Sequence, residues 1–190
     1  MEPFVESIYL EELQTQCEWA LAAVNGLNQC LTGGGAESTA NFFRFAAAVL
    51  QHAGLASKLL WPPGSPVGFK NKRAKARAQH LRASLKIDEH HPLKNRSLRD
   101  HFEHYDERLD DWLANSPNHI FVNNVIGPRS VIGGNVVQDH EIIKLFNPHT
   151  KELVFRGSAY NVQQIVDAVQ DVRTRAMSRL EDLERLRFGR

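Results

Sequence analysis

Residues 40–60 read ANFFRFAAAVLQHAGLASKLL, and this stretch decides the fold because it is apolar on nearly every side. Its large apolar residues are Phe42, Phe43, Phe45, Val49 and Leu50, and alanines fill much of the rest. A helix that is apolar on nearly every side is buried among other elements. The stretch is therefore typical of the central helix of a bundle, and neighbouring helices must cover it.

Four other segments have the apolar spacing or composition of helices. Glycines at 33–35 end the first of them, and prolines at 62, 63 and 66 form a loop after the central helix. The segment after that loop, KNKRAKARAQHLRASLKI, is strongly basic and suits a solvated helix. The predicted helices are 5–31, about 36–60, 70–87, about 93–115 and 160–188.

Short strands are predicted between the last two helices. HIFVNNVI, EIIKLF and ELVFRG are rich in β-branched and aromatic residues, and NPHTK is a turn between the last two. The glycine-rich segment GPRSVIGGNVVQDH is predicted to be a mobile linker. The predicted fold is mainly α, a HEPN-like helical bundle with a three-stranded antiparallel β insertion before a long C-terminal helix. One domain is expected, with the bundle at 1–116, the insertion at 117–158 and a last helix, 159–190, that packs back on the bundle.

The composition indicates a soluble protein of the cytoplasm. The 190 residues are 42% hydrophobic and 24% charged, and the formal net charge is +1. A charge this small gives no overall attraction to nucleic acid or to a membrane. Cys17 and Cys30 lie about 20 Å apart on one helix, too far for a disulfide, so both are expected to be reduced thiols. No segment has the length and hydrophobicity of a membrane span, and no membrane contact is expected.

The most unusual stretch is LRDHFEHYDERLDDW, residues 98–112, which contains two histidines beside an arginine. Its large apolar residues recur at steps of three and four, as in a helix that packs on a core. These residues are Leu98, Phe102, Tyr105, Leu109 and Trp112. Polar residues fall on roughly the opposite side, namely Arg96, Asp100, Glu103, His104 and Glu107. Pairs of charges at i,i+4 are common on exposed helices, so one interpretation is a solvated face.

The run from Arg99 to His104 has an arginine, a polar residue, three further residues and a histidine. It resembles the R-polar-x(3–5)-H motif of the HEPN superfamily, whose members are all-α bundle domains. Many of them are metal-independent endoribonucleases that act as toxins or in antiphage and RNA-processing systems. Asparagine usually follows the arginine in that motif, whereas Asp100 stands here. The resemblance implies a homodimer in which two copies of the motif meet, with no metal and no cofactor.

The resemblance also implies roles for individual residues. His104 would be the general acid or base, Arg99 would bind the scissile phosphate and Asp100 would orient one of them. An imidazole titrates near neutral pH, and a guanidinium donates paired hydrogen bonds to a phosphate. RNA is the expected substrate, and an antitoxin or regulatory protein is an expected partner. Residues expected to bind the substrate are Arg96, His101, Glu103, Tyr105, Lys72 and Lys75.

Two alternatives remain open on the sequence alone. Arg99 and His104 project about 140° apart on an ideal helix, whereas Arg96, Asp100 and His104 share one stripe. The same charged face would also suit a non-catalytic helical module that binds another protein. A metal site is less consistent with the sequence, because no second helix supplies the Glu-x-x-His pattern of metal-binding bundles.

Overall fold

The structure is a computed structural model that describes residues 1–64, 69–95, 97, 104–116 and 119–189. The chain is mainly helical, with a small sheet before a long C-terminal helix, and the predicted fold class is confirmed to that extent. The α-helices of the described residues are α1 (Pro3–Gly33), α2 (Gly35–Leu60), α3 (Phe69–Ser84), α4 (Tyr105–Asn115) and α5 (Val162–Phe188). The strands are β1 (Val125–Ile126), β2 (Leu145–Asn147), β3 (Glu152–Phe155) and β4 (Ser158–Asn161). None of the helices in the described ranges combines the length and the apolar character needed to span a bilayer.

The chain forms two compact units. The first unit consists of Met1–Val24, Ala48–Asn95 and Ile165–Arg190. The second consists of Asn25–Ala47 and Arg96–Gln164. Helices α1 and α2 each contribute to both units, and the described part of the charged stretch, residues 104–112, falls in the second.

The first unit has a continuous apolar core built from four helices. Leu13 of α1, Leu60 of α2, Leu81 of α3 and Val172 of α5 are all fully buried in it. Burying a side chain of this size contributes roughly 1.5–3 kcal/mol. The C-terminal helix therefore packs against α1, α2 and α3 within this unit.

Several of the largest apolar residues of α1 do not lie on its buried face. Leu13 is buried, but Ile8 is 49% exposed and Trp19 is 53% exposed, so neither of these two large side chains is part of the core. Small residues such as Ala20 occupy the buried face instead, together with the carboxylate of Glu6. A polar group can be buried when it has hydrogen-bond partners, and residues on other helices supply them here.

The second unit contains a four-stranded sheet in the order β1-β2-β3-β4. The sequence predicted three antiparallel strands, but β1 runs parallel to β2 and a fourth strand follows β3. Arg156 and Gly157 form a two-residue turn between β3 and β4, with φ of 48° and 78°. Two positive φ values in succession produce a tight hairpin whose twist matches that of its strands. That turn is why the chain forms another strand before α5 begins.

The first predicted strand, 119–126, is mostly irregular. Only Val125 and Ile126 belong to β1, and Val122 makes an isolated parallel bridge with Ile142. The backbone of Asn124 has a φ of 56°, which interrupts an extended conformation. This segment, although rich in β-branched and aromatic residues, therefore makes two short strand contacts and not one continuous strand.

The segment predicted to be a mobile linker is ordered by one arginine. The guanidinium of Arg129 donates hydrogen bonds to the carbonyls of Gly134 and Val137, at 3.0 and 2.6 Å. It also pairs with the carboxylate of Asp139. These bonds connect three short 3₁₀ turns, so the glycines of this segment allow tight turns and do not make a flexible linker.

The helix predicted from about residue 93 to 115 is not continuous. Residues Pro92–Lys94 form a 3₁₀ turn, and Asn95 is extended with φ −69° and ψ 120°. The hydroxyl of Ser57 donates to the carbonyl oxygen of Leu93 at 2.6 Å and so occupies an acceptor that a helix would use. His104 has φ −111° and ψ 41°, which is not helical, and α4 begins after it.

Candidate functional site

The predicted site is described only in part. Arg99 and Asp100, predicted to be catalytic, lie outside the described residues. The same holds for Arg96, His101 and Glu103, which were expected to bind substrate. The described members of the predicted site are His104, Tyr105, Lys72 and Lys75.

His104 lies at the position just before the first helical residue of α4, and its side chain is 52% exposed. Its Nδ1 atom is 3.2 Å from Oε1 of Glu107, one turn further along. Since a carboxylate only accepts hydrogen bonds, this contact favours the tautomer with the proton on Nδ1. The lone pair of Nε2 then points away from Glu107, and no described residue hydrogen-bonds that atom.

Glu107 has a role at this site that the sequence did not indicate. Its carboxylate contacts Nδ1 of His104 and so orients the imidazole. When one ring nitrogen donates a hydrogen bond, the proton of the neutral imidazole is on that nitrogen. The other nitrogen then carries the lone pair. The i,i+3 spacing of the two residues is the signal that could have identified this pair.

Tyr105, the first residue of α4, packs toward the sheet. Its ring centroid is 6.1 Å from that of Phe155 on β3, in an edge-to-face arrangement. Burial raises the pKa of the Tyr105 hydroxyl, and a hydrogen bond with the side chain of Asn123 partly opposes this rise. Tyr105 is thus a half-buried residue next to an exposed histidine, with its phenol fixed by an amide.

Lys144, which the sequence did not single out, contacts the same tyrosine. Its Nζ atom is 5.0 Å from the centroid of the Tyr105 ring and 5.9 Å from that of Phe43. Burial lowers the pKa of Lys144. The described part of the candidate site therefore consists of His104, Glu107, Tyr105 and Lys144, all in the second unit.

The two lysines predicted to bind substrate are not in that unit. Lys72 and Lys75 lie on α3, which belongs to the first unit, and both are exposed. Within the described ranges, no three histidine, cysteine or acidic side chains are close enough together to hold a metal ion.

No family model matches the chain, and no curated protein or solved structure is significantly similar to it. The likeness to the HEPN superfamily thus depends on the motif from Arg99 to His104 and stays a resemblance. The chemistry of the site has to be argued from its own residues.

Proposed function

We propose that the chain is a metal-independent endoribonuclease in which His104 is the general acid–base residue. The observation that carries the proposal is the contact of Nδ1 with Glu107, which leaves Nε2 of an exposed imidazole available to substrate. An imidazole whose second nitrogen is held by a carboxylate is oriented for general-base catalysis, as in the serine–histidine–aspartate arrangement. The motif adds Arg99 as the group that binds the phosphate and Asp100 as an orienting residue.

The reaction uses the nucleophile that RNA itself carries. Nε2 of His104 removes the proton of a ribose 2′-hydroxyl, and the 2′-oxygen attacks the adjacent phosphorus. A bond forms between O2′ and phosphorus, and the bond from phosphorus to O5′ breaks. A proton from an imidazolium goes to O5′, so the products are a 2′,3′-cyclic phosphate and a free 5′-hydroxyl. Glu107 keeps the ring of His104 in one orientation during the two proton transfers.

The proposal includes a setting for this activity. The motif resemblance suggests that two copies of the chain associate and bring their motifs together. It also suggests an antitoxin or another regulatory protein, because an unrestrained ribonuclease would damage the cell. We place the enzyme in the cytoplasm, where its RNA substrates occur and where thiols such as those of Cys17 and Cys30, both unpaired, are kept reduced.

The test is cleavage of a mixed RNA pool by the purified chain in EDTA. Replacing His104 with glutamine should lower the rate by about 10²–10⁴-fold, the usual contribution of a general acid or base. Glu107→Gln should lower the rate by a smaller factor, about 10–100-fold, because it only orients the ring. His149→Gln is the matched control, since His149 is another exposed histidine of the second unit.

The proposal predicts that wild type and His149→Gln cleave alike and that His104→Gln does not. Products that end in a cyclic phosphate would identify the 2′-hydroxyl as the nucleophile. Equal cleavage by wild type and His104→Gln would indicate a contaminating nuclease and would contradict the proposal. RNA left intact by every variant would favour the alternative of a non-catalytic interaction module.

A further inference from the structure

Lys144 occupies an unusual place for a cation. Its backbone is held beside the sheet, because its carbonyl accepts from the amide of Val125 and its amide donates to the carbonyl of Val122. Its side chain is half-buried, with the ammonium near the rings of Tyr105 and Phe43. Cation–π contacts of this kind offset part of the lost hydration.

Lys144 lacks the carboxylate partner that two other half-buried cations of the same unit have. Arg129 pairs with Asp139, and Arg156 pairs with Asp111. Lys144 makes no ion pair and donates no side-chain hydrogen bond to any described residue. Removing a cation from water without an anionic partner is unfavourable, which agrees with the direction of its pKa. An anionic ligand would supply the missing partner.

The location of Lys144 indicates which anion this would be. The ring that it contacts belongs to Tyr105, and the next residue toward the N-terminus is His104. An RNA strand with its ribose at His104 would carry phosphates on both sides of that ribose. We propose that Lys144 binds a backbone phosphate of the RNA next to the scissile one. This inference rests on the proposed function, because it takes RNA as the ligand.

The first experiment measures binding without cleavage. The probe is a short RNA with 2′-O-methyl groups, which lacks the nucleophile and stays intact, and its Kd is measured by fluorescence anisotropy at several salt concentrations. Lys144→Met keeps the length of the side chain and its apolar contacts but removes the charge. It should weaken binding about tenfold and reduce the slope of log K against log salt by about one. Lys144→Arg should retain most of the affinity.

Lys151→Met is the matched control, because Lys151 is an exposed lysine of the same unit that donates to Gln163 at 2.9 Å. It should bind the probe as wild type does. Thermal unfolding checks that each variant is folded. If Lys144→Met does not fold, Lys144→Gln replaces it in the binding measurement. Glutamine also removes the charge, and its polar side chain tolerates contact with water.

A second measurement separates this inference from the proposed function. With cleavable RNA, Lys144→Met should raise KM while kcat stays within a fewfold of wild type, whereas His104→Gln lowers kcat. Binding that depends on Lys144 in a protein that never cleaves RNA would overturn the ribonuclease and leave the phosphate contact standing. Equal affinity of wild type and Lys144→Met would overturn the contact, whatever the cleavage result. Failure of wild type to bind the probe would overturn the contact, and the cleavage of unmodified RNA by wild type and His104→Gln would decide the ribonuclease separately.

Discussion

Replacing Glu6 with glutamine should destabilise the first unit by removing one buried charge. Glu6 lies on α1 and is only 2% exposed. Its carboxylate accepts two hydrogen bonds from the guanidinium of Arg179 on α5, at 2.9 and 3.2 Å. Nε2 of His80 on α3 lies 3.0 Å from its second oxygen. Glu6→Gln keeps the shape of the side chain and leaves Arg179 and His80 without the anion between them.

The magnitude follows from the pKa of Glu6. Burial alone would raise that pKa, but the hydrogen bonds of Arg179 and His80 and the charge of Arg179 lower it from 4.5 to about 2. Each pKa unit corresponds to about 1.36 kcal/mol, so the charged carboxylate contributes about 3 kcal/mol to stability at neutral pH. This lies at the low end of the 3–5 kcal/mol expected when one partner of a buried ion pair is removed. The side chains of Arg179 and His80 are 28% and 33% exposed, so water partly replaces the lost partner.

The sign of the pH dependence is fixed because the folded pKa lies below the unfolded one. The stabilisation is fully present above the unfolded pKa of 4.5 and is lost as the pH falls toward about 2. Urea unfolding of wild type and Glu6→Gln should therefore differ by about 3 kcal/mol at pH 7 and by about 1 kcal/mol at pH 3. Other carboxylates titrate in both proteins and cancel from the difference.

Glu11→Gln is the control, because Glu11 is an exposed carboxylate on the same helix, and its effect should stay within about 0.5 kcal/mol. Adding Arg179→Met to Glu6→Gln should cost little more than Glu6→Gln alone, because the guanidinium has already lost its anion. A difference between wild type and Glu6→Gln that is the same at pH 7 and pH 3 would refute the electrostatic argument. So would a difference at pH 7 below about 1 kcal/mol.

Ser57→Ala should lower the free energy of unfolding by about 1–2 kcal/mol, because the buried carbonyl of Leu93 loses its 2.6 Å hydrogen bond. Urea unfolding measures this, and a change under a few tenths of a kcal/mol would contradict the role given to that bond. Gly157→Ala should cost at least about 1–2 kcal/mol, since a side chain is disfavoured at φ 78° and its Cβ would lie 3.0 Å from the Cβ of Asp139. Thermal unfolding tests it, and an unchanged melting temperature would mean that the hairpin turn tolerates a side chain.

The long helices were predictable because each repeats its apolar pattern over many turns and ends at a strong break. The helix predicted at 5–31 is observed at Pro3–Gly33, and the one predicted at 160–188 is observed at Val162–Phe188. The predicted helix at about 93–115 was wrong in its extent. At its start, the hydroxyl of Ser57, which is distant in sequence, accompanies the 3₁₀ turn by binding the carbonyl of Leu93, and a local pattern does not contain such a contact.

The sheet was predicted less completely, for two different reasons. The fourth strand had a local signal, because Arg156-Gly157 between two short apolar runs suits a two-residue turn. The parallel pairing of β1 with β2 had none, since it depends on the path of the chain between Ile126 and Leu145. A salt bridge and two carbonyl contacts of Arg129 set that path, and these are tertiary interactions.

The candidate site also has one part that a local sequence pattern could predict and another part that depends on tertiary contacts. The motif singled out His104, and a helical spacing of three connects it to Glu107. Lys144 is far away in sequence and comes near Tyr105 only through the sheet, so no spacing rule could have found it. The objection that His104 projects about 140° from Arg99 assumed an ideal helix. The backbone of His104 is not helical, and Arg99 lies outside the described residues, so the angle between the two side chains stays a prediction.

Glu6 and Lys144 together give a physical criterion for distinguishing structural charges from functional ones. Glu6 is almost fully buried, and its carboxylate contacts the guanidinium of Arg179 and the imidazole of His80, so its charge is explained by the stability of three packed helices. Lys144 is half-buried, and aromatic rings are its only charge-stabilising contacts among the described residues. A charge that lacks an opposite charge in the folded chain reduces stability unless a ligand binds. The criterion therefore predicts opposite outcomes without ligand: neutralising Glu6 destabilises the chain, whereas Lys144→Met leaves its stability unchanged or raises it.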